Sequence, residues 1–225
     1  MQNSWAEHLI HYYEALRPPA QLPPGISWLY PQKDEVTKSV VRMFLRKFFD
    51  DTNKRKLFLG INPGRFGAGV TGVNFTGPRQ LTQYCGIEHP FGNGSELSAE
   101  FIYDMISAYG GAGRFYGSFF IGSVCPLGFV RNGKNLNYYD DRQLQTMVEP
   151  FIISSMNALL RGPVDRSVCY CIGGEKNYNY LSRINEEQDW FARIVPLPHP
   201  RFIMQYRRRQ KDQYVQEYLD RMTEQ

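Results

Sequence analysis

Two side chains in this sequence stand where a substrate could meet them: an amide at Asn62 and an imidazole at His199. Asn62 sits in the run Gly60, Ile61, Asn62, Pro63, Gly64, which follows an apolar stretch beginning at Lys56. Glycines at 60, 64, 67, 69 and 72 crowd that turn, and glycine admits positive φ and lets a ligand approach the backbone closely. His199 stands between Pro198 and Pro200 after another apolar stretch, and flanking prolines fix where its ring points. Both side chains are neutral or nearly so. They suit hydrogen bonding to a bound group, and neither turn offers a carboxylate. A plainer reading stands beside this one, with Asn62 capping its own backbone and His199 purely structural.

A third group lies just beyond His199. Arg201, Arg207, Arg208, Arg209 and Lys211 form a basic cluster with Phe202, Met204 and Tyr206 interleaved. That mixture reads as a phosphate-gripping segment with an apolar tip able to wedge into a base stack, or as a solvated helix start. Other familiar chemistries are missing. No lysine closes the glycine run as a phosphate-cradling loop requires. Gly67, Gly69 and Gly72 do carry dinucleotide-type spacing, but they begin well past the end of the apolar stretch, which makes the signal weak. Cys85, Cys125, Cys169 and Cys171 include no C-x-x-C pair, which excludes zinc-ribbon and iron–sulfur patterns and leaves buried free thiols as the expectation.

These groups need elements to hold them. Apolar runs at 56–61, 118–124, 167–172 and 192–197 each end in a turn, at Asn62, Cys125, Gly173 and Pro198 respectively. Short continuous apolar runs of this kind fit parallel strands buried on both faces. Helical patterns cover about 97–109, 140–160 (interrupted at Pro150), 175–184 and 210–222, and a further helix over 34–50 turns Val36, Val40, Met43, Phe44 and Phe48 inward. Ser4 and Glu7 form a capping box that opens a helix ended by Pro18 and Pro19. Prolines 18, 19, 23, 24 and 31 then mark an extended stretch tacked down by Trp28, Leu29 and Tyr30. Strands alternating with helices predict an α/β fold, a three-layer α/β/α sandwich around a central four-stranded parallel sheet. The expectation is one domain over 1–225, with 1–33 packed on it as a helix plus a Pro-rich segment.

A chain of 225 residues with 42% hydrophobic content can build a full core without disulfides. No apolar run approaches the roughly 18 residues of a membrane span, and the first residues lack a signal-peptide pattern. The net charge of +4 permits nucleic-acid binding without requiring it. In open α/β sheets ligands bind beyond the carboxyl ends of the strands, so Asn62, Ser123, Gly173, Gly174 and His199 should gather at one edge.

The residues from Gly60 to Gly64, with Phe66, Gly67, Thr71, Gly72, Val73 and Phe75, resemble without a gap the first motif of the uracil-DNA glycosylase superfamily. Within it they resemble the single-strand-selective monofunctional uracil-DNA glycosylases. Cys125, Pro126 and Leu127 with Gly133 to Leu136 are similar to that family's middle segment, and His199 and Pro200 with the trailing arginines to its second motif. The likeness runs from about residue 28 to 220. It implies hydrolysis of the N-glycosidic bond of a base flipped out of DNA, with no metal and no cofactor. Asn62 would position the attacking water and contact the base, and His199 would donate to the base oxygen that gains charge. Phe75 would stack on the base, with Gly60, Ile61, Pro63, Gly64, Phe66, Gly67, Ser123 and Cys125 around it. Gly174, Lys176, Arg201, Phe202, Tyr206 and Arg207 to Arg209 would meet single- or double-stranded DNA. A monomer is expected, in the cytoplasm, nucleoid-associated in a bacterium.

Two departures from that pattern matter. Ser123 occupies the position of a base-recognising asparagine. A hydroxyl is shorter and can reverse its donor and acceptor roles, which predicts looser base selectivity reaching deaminated bases such as xanthine. After His199 and Pro200 the chain places Arg201, Phe202, Ile203 and Met204 where relatives place small residues, which predicts a bulkier wedge. The absence of a lysine from the first motif argues against a Schiff base and so against strand cutting. Competing readings are a binding domain of this fold without turnover and a hydrolase of free nucleosides. The second predicts no salt dependence of substrate affinity.

Overall fold

Ser4 opens the first helix as its spacing predicts. Its hydroxyl accepts the Glu7 N–H at 3.3 Å, and the Glu7 carboxylate accepts the Ser4 N–H at 3.2 Å. The computed structural model describes residues 4–223. The chain begins α1 (Trp5–Glu14), β1 (Ile26–Leu29), a 3-10 turn (Pro31–Lys33), α2 (Glu35–Phe49) and β2 (Arg55–Gly60). It continues through α3 (Ala68–Thr71), α4 (Pro78–Gln83), α5 (Leu97–Tyr109), α6 (Ala112–Ser118) and β3 (Phe119–Ser123). A hairpin, β4 (Gly128–Arg131) and β5 (Lys134–Leu136), precedes α7 (Arg142–Leu159), β6 (Val164–Cys171) and α8 (Gly174–Gln188). Then come β7 (Ile194–Pro196), α9 (Pro200–Tyr206), a second 3-10 turn (Arg208–Gln210) and α10 (Lys211–Thr223).

The predicted four-stranded parallel sheet is present, in the order β3-β2-β6-β7, flanked by helices. Leu57, Phe58 and Leu59 of β2 are fully buried, because a central parallel strand is covered on both faces. Aromatic rings fill much of the core, and Phe58 stacks on Tyr170 at 4.7 Å between ring centres. No described helix is long and apolar enough to cross a membrane.

Three features differ from the expectation. The Pro-rich segment is not only extended chain, because β1 pairs antiparallel with β4, and β4 with β5, to make a second small sheet. A methyl group at Gly128 would meet the Pro63 carbonyl oxygen at 2.2 Å, so this sheet presses directly on the Asn62 turn. Helix α2 is rotated from its predicted face: Thr37, Val40, Val41, Phe44, Leu45 and Phe49 are buried, while Val36 and Met43 are exposed. Asp34 caps the helix through the Thr37 N–H and hydroxyl, and Val41 packs onto Gly72, where a methyl would come within 2.5 Å of it. Finally, α7 runs straight through Pro150. The ring removes one backbone donor, but Val148, Phe151 and Ile152 are buried on either side and hold the helix together.

Arg55 anchors the start of β2 and is fully buried. It makes a two-pronged ion pair with Asp51, at 2.7 Å to each oxygen, and donates to the carbonyls of Tyr116, Asn53 and Phe48. The Trp5 indole N–H donates to the Asn53 and Pro163 carbonyls, tying α1 to the same corner.

Candidate functional site

Parallel register brings the carboxyl ends of the strands together. Gly60 sits opposite Ser123 across β2 and β3, and Cys171 opposite Pro196 across β6 and β7. Beyond these ends opens a cleft of about 470 Å³ whose walls include Asn62, Ser123, Gly173 and His199. The turns singled out by their sequence thus meet at one edge, where open α/β sheets bind ligands.

The Asn62 amide is oriented by its neighbours. Nδ2 donates to the carbonyls of Leu136 (3.2 Å) and Pro63 (3.3 Å), and Oδ1 accepts the Tyr138 N–H at 3.1 Å. Both donors are committed and one lone pair is in use, so what Asn62 has left to offer is the second lone pair of Oδ1. It can hold a water by its hydrogen.

His199 is held in the opposite sense. It caps α9, and its Nδ1 accepts the Arg201 N–H at 3.0 Å. A nitrogen that accepts carries no proton, so the ring proton is on Nε2. Burial, with the nearby Arg201 charge as a second cause, pushes the imidazole pKa down to about 4. The group is therefore a neutral donor at neutral pH.

Phe75 forms another wall, with its ring centre 6.2 Å from that of His199. Its backbone has φ +51°, uncommon for a bulky residue, and the ring lies against Gly60, where a methyl would sit 2.6 Å from Cε2. Ser123 is buried, and its hydroxyl donates to Asn74 Oδ1 at 2.8 Å. Ile61, Pro63 and Gly64 also line the cleft.

Sequence reasoning missed several wall residues. Asn74 lies inside the first motif, between Val73 and Phe75, and Asn135 lies in the quoted middle segment and accepts the Arg65 N–H at 3.0 Å. Glu96 enters the wall from the loop before α5, so the cleft does contain a carboxylate. Burial raises its pKa, against the lowering effects of a Ser98 hydrogen bond and the Arg201 charge. Nothing local marked it.

Other expected residues fall elsewhere. Cys125 is fully buried in the core and off the cleft wall, its thiol pushed up to about 12 by burial; this corrects its placement at the base. A residue following a strand that ends in the site still turns inward when its side chain is apolar. Phe66 is exposed outside the cleft wall, with the Arg65 guanidinium 5.0 Å from its ring. Gly60 and Gly67 are buried behind the wall, Gly60 under Phe75 and Gly67 beside Glu96. On the rim, Arg201, Phe202 and Tyr206 line the mouth, with Phe202 42% and Tyr206 63% exposed. Arg207, Arg208 and Arg209 are exposed just beyond it, and Arg207 lies 5.6 Å from the Phe202 ring. Gly174 begins α8 with φ +75° and Lys176 is exposed on that helix; neither lines the cleft.

The model of the Uracil DNA glycosylase superfamily matches residues 46–223. A solved structure described as wild-type SMUG2 of Pedobacter heparinus superposes with a TM-score of 0.94 at 41% sequence identity, covering 97% of this chain and 97% of that one. No curated protein matches the sequence.

Proposed function

Because the chain belongs to the uracil DNA glycosylase superfamily, we propose that it hydrolyses the N-glycosidic bond of uracil flipped out of DNA and leaves an abasic site. The observation that carries this reading is the pairing of a neutral Nε2–H donor at His199 with an acceptor-only Asn62 in one cleft.

Breaking the bond between sugar C1′ and the base nitrogen leaves an oxocarbenium-like sugar and an anionic base. His199 Nε2–H donates to the base oxygen on which that charge gathers. A donor aimed at developing charge inside a partly dry cleft is worth about 2.7–4 kcal/mol of barrier. An imidazolium would donate more strongly but is excluded by the pKa near 4, so stabilisation comes through a hydrogen bond without proton transfer. Water held on Asn62 Oδ1 adds to C1′, and its proton leaves to solvent. Little deprotonation is needed, because the sugar is already electron-poor. Phe75 stacks on the base, and Arg201 with Arg207 to Arg209 takes the phosphates. No lysine lines the cleft, which favours hydrolysis over a Schiff base and hence a monofunctional enzyme. Extruding the base costs a few kcal/mol, least in single strands and mismatches. Acceptance of xanthine beside uracil is part of the proposal.

The test is incubation with oligonucleotides carrying uracil, hydroxymethyluracil, xanthine or hypoxanthine, followed by alkali. Alkali-labile breaks at uracil, with xanthine also cut, are the expected result. Intact strands for all four would leave the reading of a binding domain without turnover.

A further inference from the structure

The substitution of serine for a base-reading amide at the end of β3 does not leave the cleft without one. The Ser123 proton is committed to Asn74 Oδ1, so Ser123 turns only lone pairs toward the cleft. Asn74, with one Oδ1 lone pair taken by Ser123, keeps its amide Nδ2 as a donor. Both residues line the cleft, beside Phe75 and within reach of the same bound group. The loop fixes Asn74 from both sides: its backbone carbonyl accepts the Thr76 hydroxyl at 3.0 Å, and Phe75 next to it holds φ +51° against Gly60. A strained, over-determined backbone of this kind is a device for aiming a side chain.

We propose that Asn74 and Ser123 together read the base, Asn74 Nδ2 donating to a ring carbonyl and Ser123 Oγ accepting from the ring N–H beside it. This rests on the glycosylase reading above. Two residues from separate elements then present the donor and acceptor of a single amide, without its rigid spacing. The bases that fit carry an adjacent C=O and N–H: uracil at O4 and N3, and the deaminated purines at O6 and N1. Cytosine and adenine present an amine and a bare ring nitrogen there, which sets donor against donor and acceptor against acceptor. The pair therefore admits a purine or pyrimidine lactam and rejects cytosine and adenine; guanine and thymine share the lactam edge and are not told apart by it. In this role Asn74 is the specificity residue and Ser123 both orients it and completes the edge.

The experiment measures single-turnover release of uracil by the intact protein and by Asn74→Ala, Asn74→Asp, Ser123→Ala and the Asn74→Ala/Ser123→Ala double variant. Affinity for the same oligonucleotide with an abasic site, where there is no base to read, is measured alongside. Asn74→Asp keeps the acceptor that Ser123 uses and replaces the donor with a carboxylate oxygen and its charge, while Asn74→Ala removes the donor without adding charge. Asn74→Ala and Asn74→Asp should each lower release by about 10-fold or more, with abasic affinity within about twofold of the intact protein. The double variant should be hardly worse than Asn74→Ala alone, because the residues act as one unit. Release by Asn74→Asp within about twofold of the intact protein overturns the proposal, as does a parallel loss of release and abasic affinity. An intact protein that releases no base instead removes the glycosylase reading, and the proposal with it.

Discussion

Nδ1 of His199 accepts the backbone N–H of Arg201 at 3.0 Å, so one contact caps α9 and sets the tautomer of the ring. The arrangement has a consequence for stability. The imidazole titrates near 4 in the folded protein and near 6.5 when exposed in the unfolded chain. Between those values the unfolded state binds a proton that the folded state does not, so stability rises with pH through the window. The contribution is complete above about pH 6.5 and is lost as pH falls toward 4. Melting temperatures of the intact protein and His199→Gln, measured from pH 7.5 down to 4, should show the steeper decline for the intact protein. Parallel curves would contradict the burial of a neutral ring.

Phe75 should contribute to capture of the flipped base by stacking. Phe75→Ala is expected to weaken binding of a uracil-containing oligonucleotide by roughly 1–3 kcal/mol, with little change for an abasic one. Gly60→Ala should act in the same direction, because its methyl would sit 2.6 Å from the Phe75 ring and push it off its support. Equal losses on both oligonucleotides would assign Phe75 to general DNA contact.

The core of the fold was legible because a strand covered on both faces must be apolar throughout, as Leu57, Phe58 and Leu59 are. Given parallel strands, the rule that ligands sit beyond their carboxyl ends was enough to bring Asn62 and His199 together across the sequence. The second sheet was not legible. Its strands are three or four residues long, and Ser27 pairs with Val130 with no local signal that the two meet. Asn74 stayed hidden for a related reason: its orientation comes from Ser123, 49 residues away in sequence. The α2 face differs from the predicted one because periodicity fixes an apolar stripe only to within about one residue, and the face that packs is the one bearing Thr37 and Val41, which lie against Gly72. Cys125 belongs to the segment that resembles the family's middle motif, but a resemblance in sequence does not give the direction of its side chain, which is buried in the core.

The basic cluster should appear in the salt dependence of DNA binding. Replacing Arg207, Arg208 and Arg209 with alanine is expected to reduce the slope of log K against log salt, by up to roughly 0.7 per lost contact on a single strand. An unchanged slope would make these arginines a solvated surface only.

Arg55 tests the scaffold instead of the chemistry. Asp51→Asn leaves a fully buried guanidinium without its carboxylate, though with three carbonyl acceptors still in place. Breaking a buried pair typically costs 3–5 kcal/mol, and the partial exposure of Asp51 brings the expected loss to about 2–3 kcal/mol. Denaturant unfolding measures it directly; a change under about 0.5 kcal/mol, the range of an ordinary surface substitution, would contradict the anchoring role.

The central claim is that an amide and an imidazole from distant parts of the chain divide the chemistry of one bond between them. Single-turnover release of uracil from a single-stranded oligonucleotide by the intact protein, Asn62→Ala and His199→Ala tests it most directly. Each variant is expected to release base roughly 10²–10³-fold more slowly while holding abasic DNA as tightly as before. Release by Asn62→Ala at the rate of the intact protein would contradict the account.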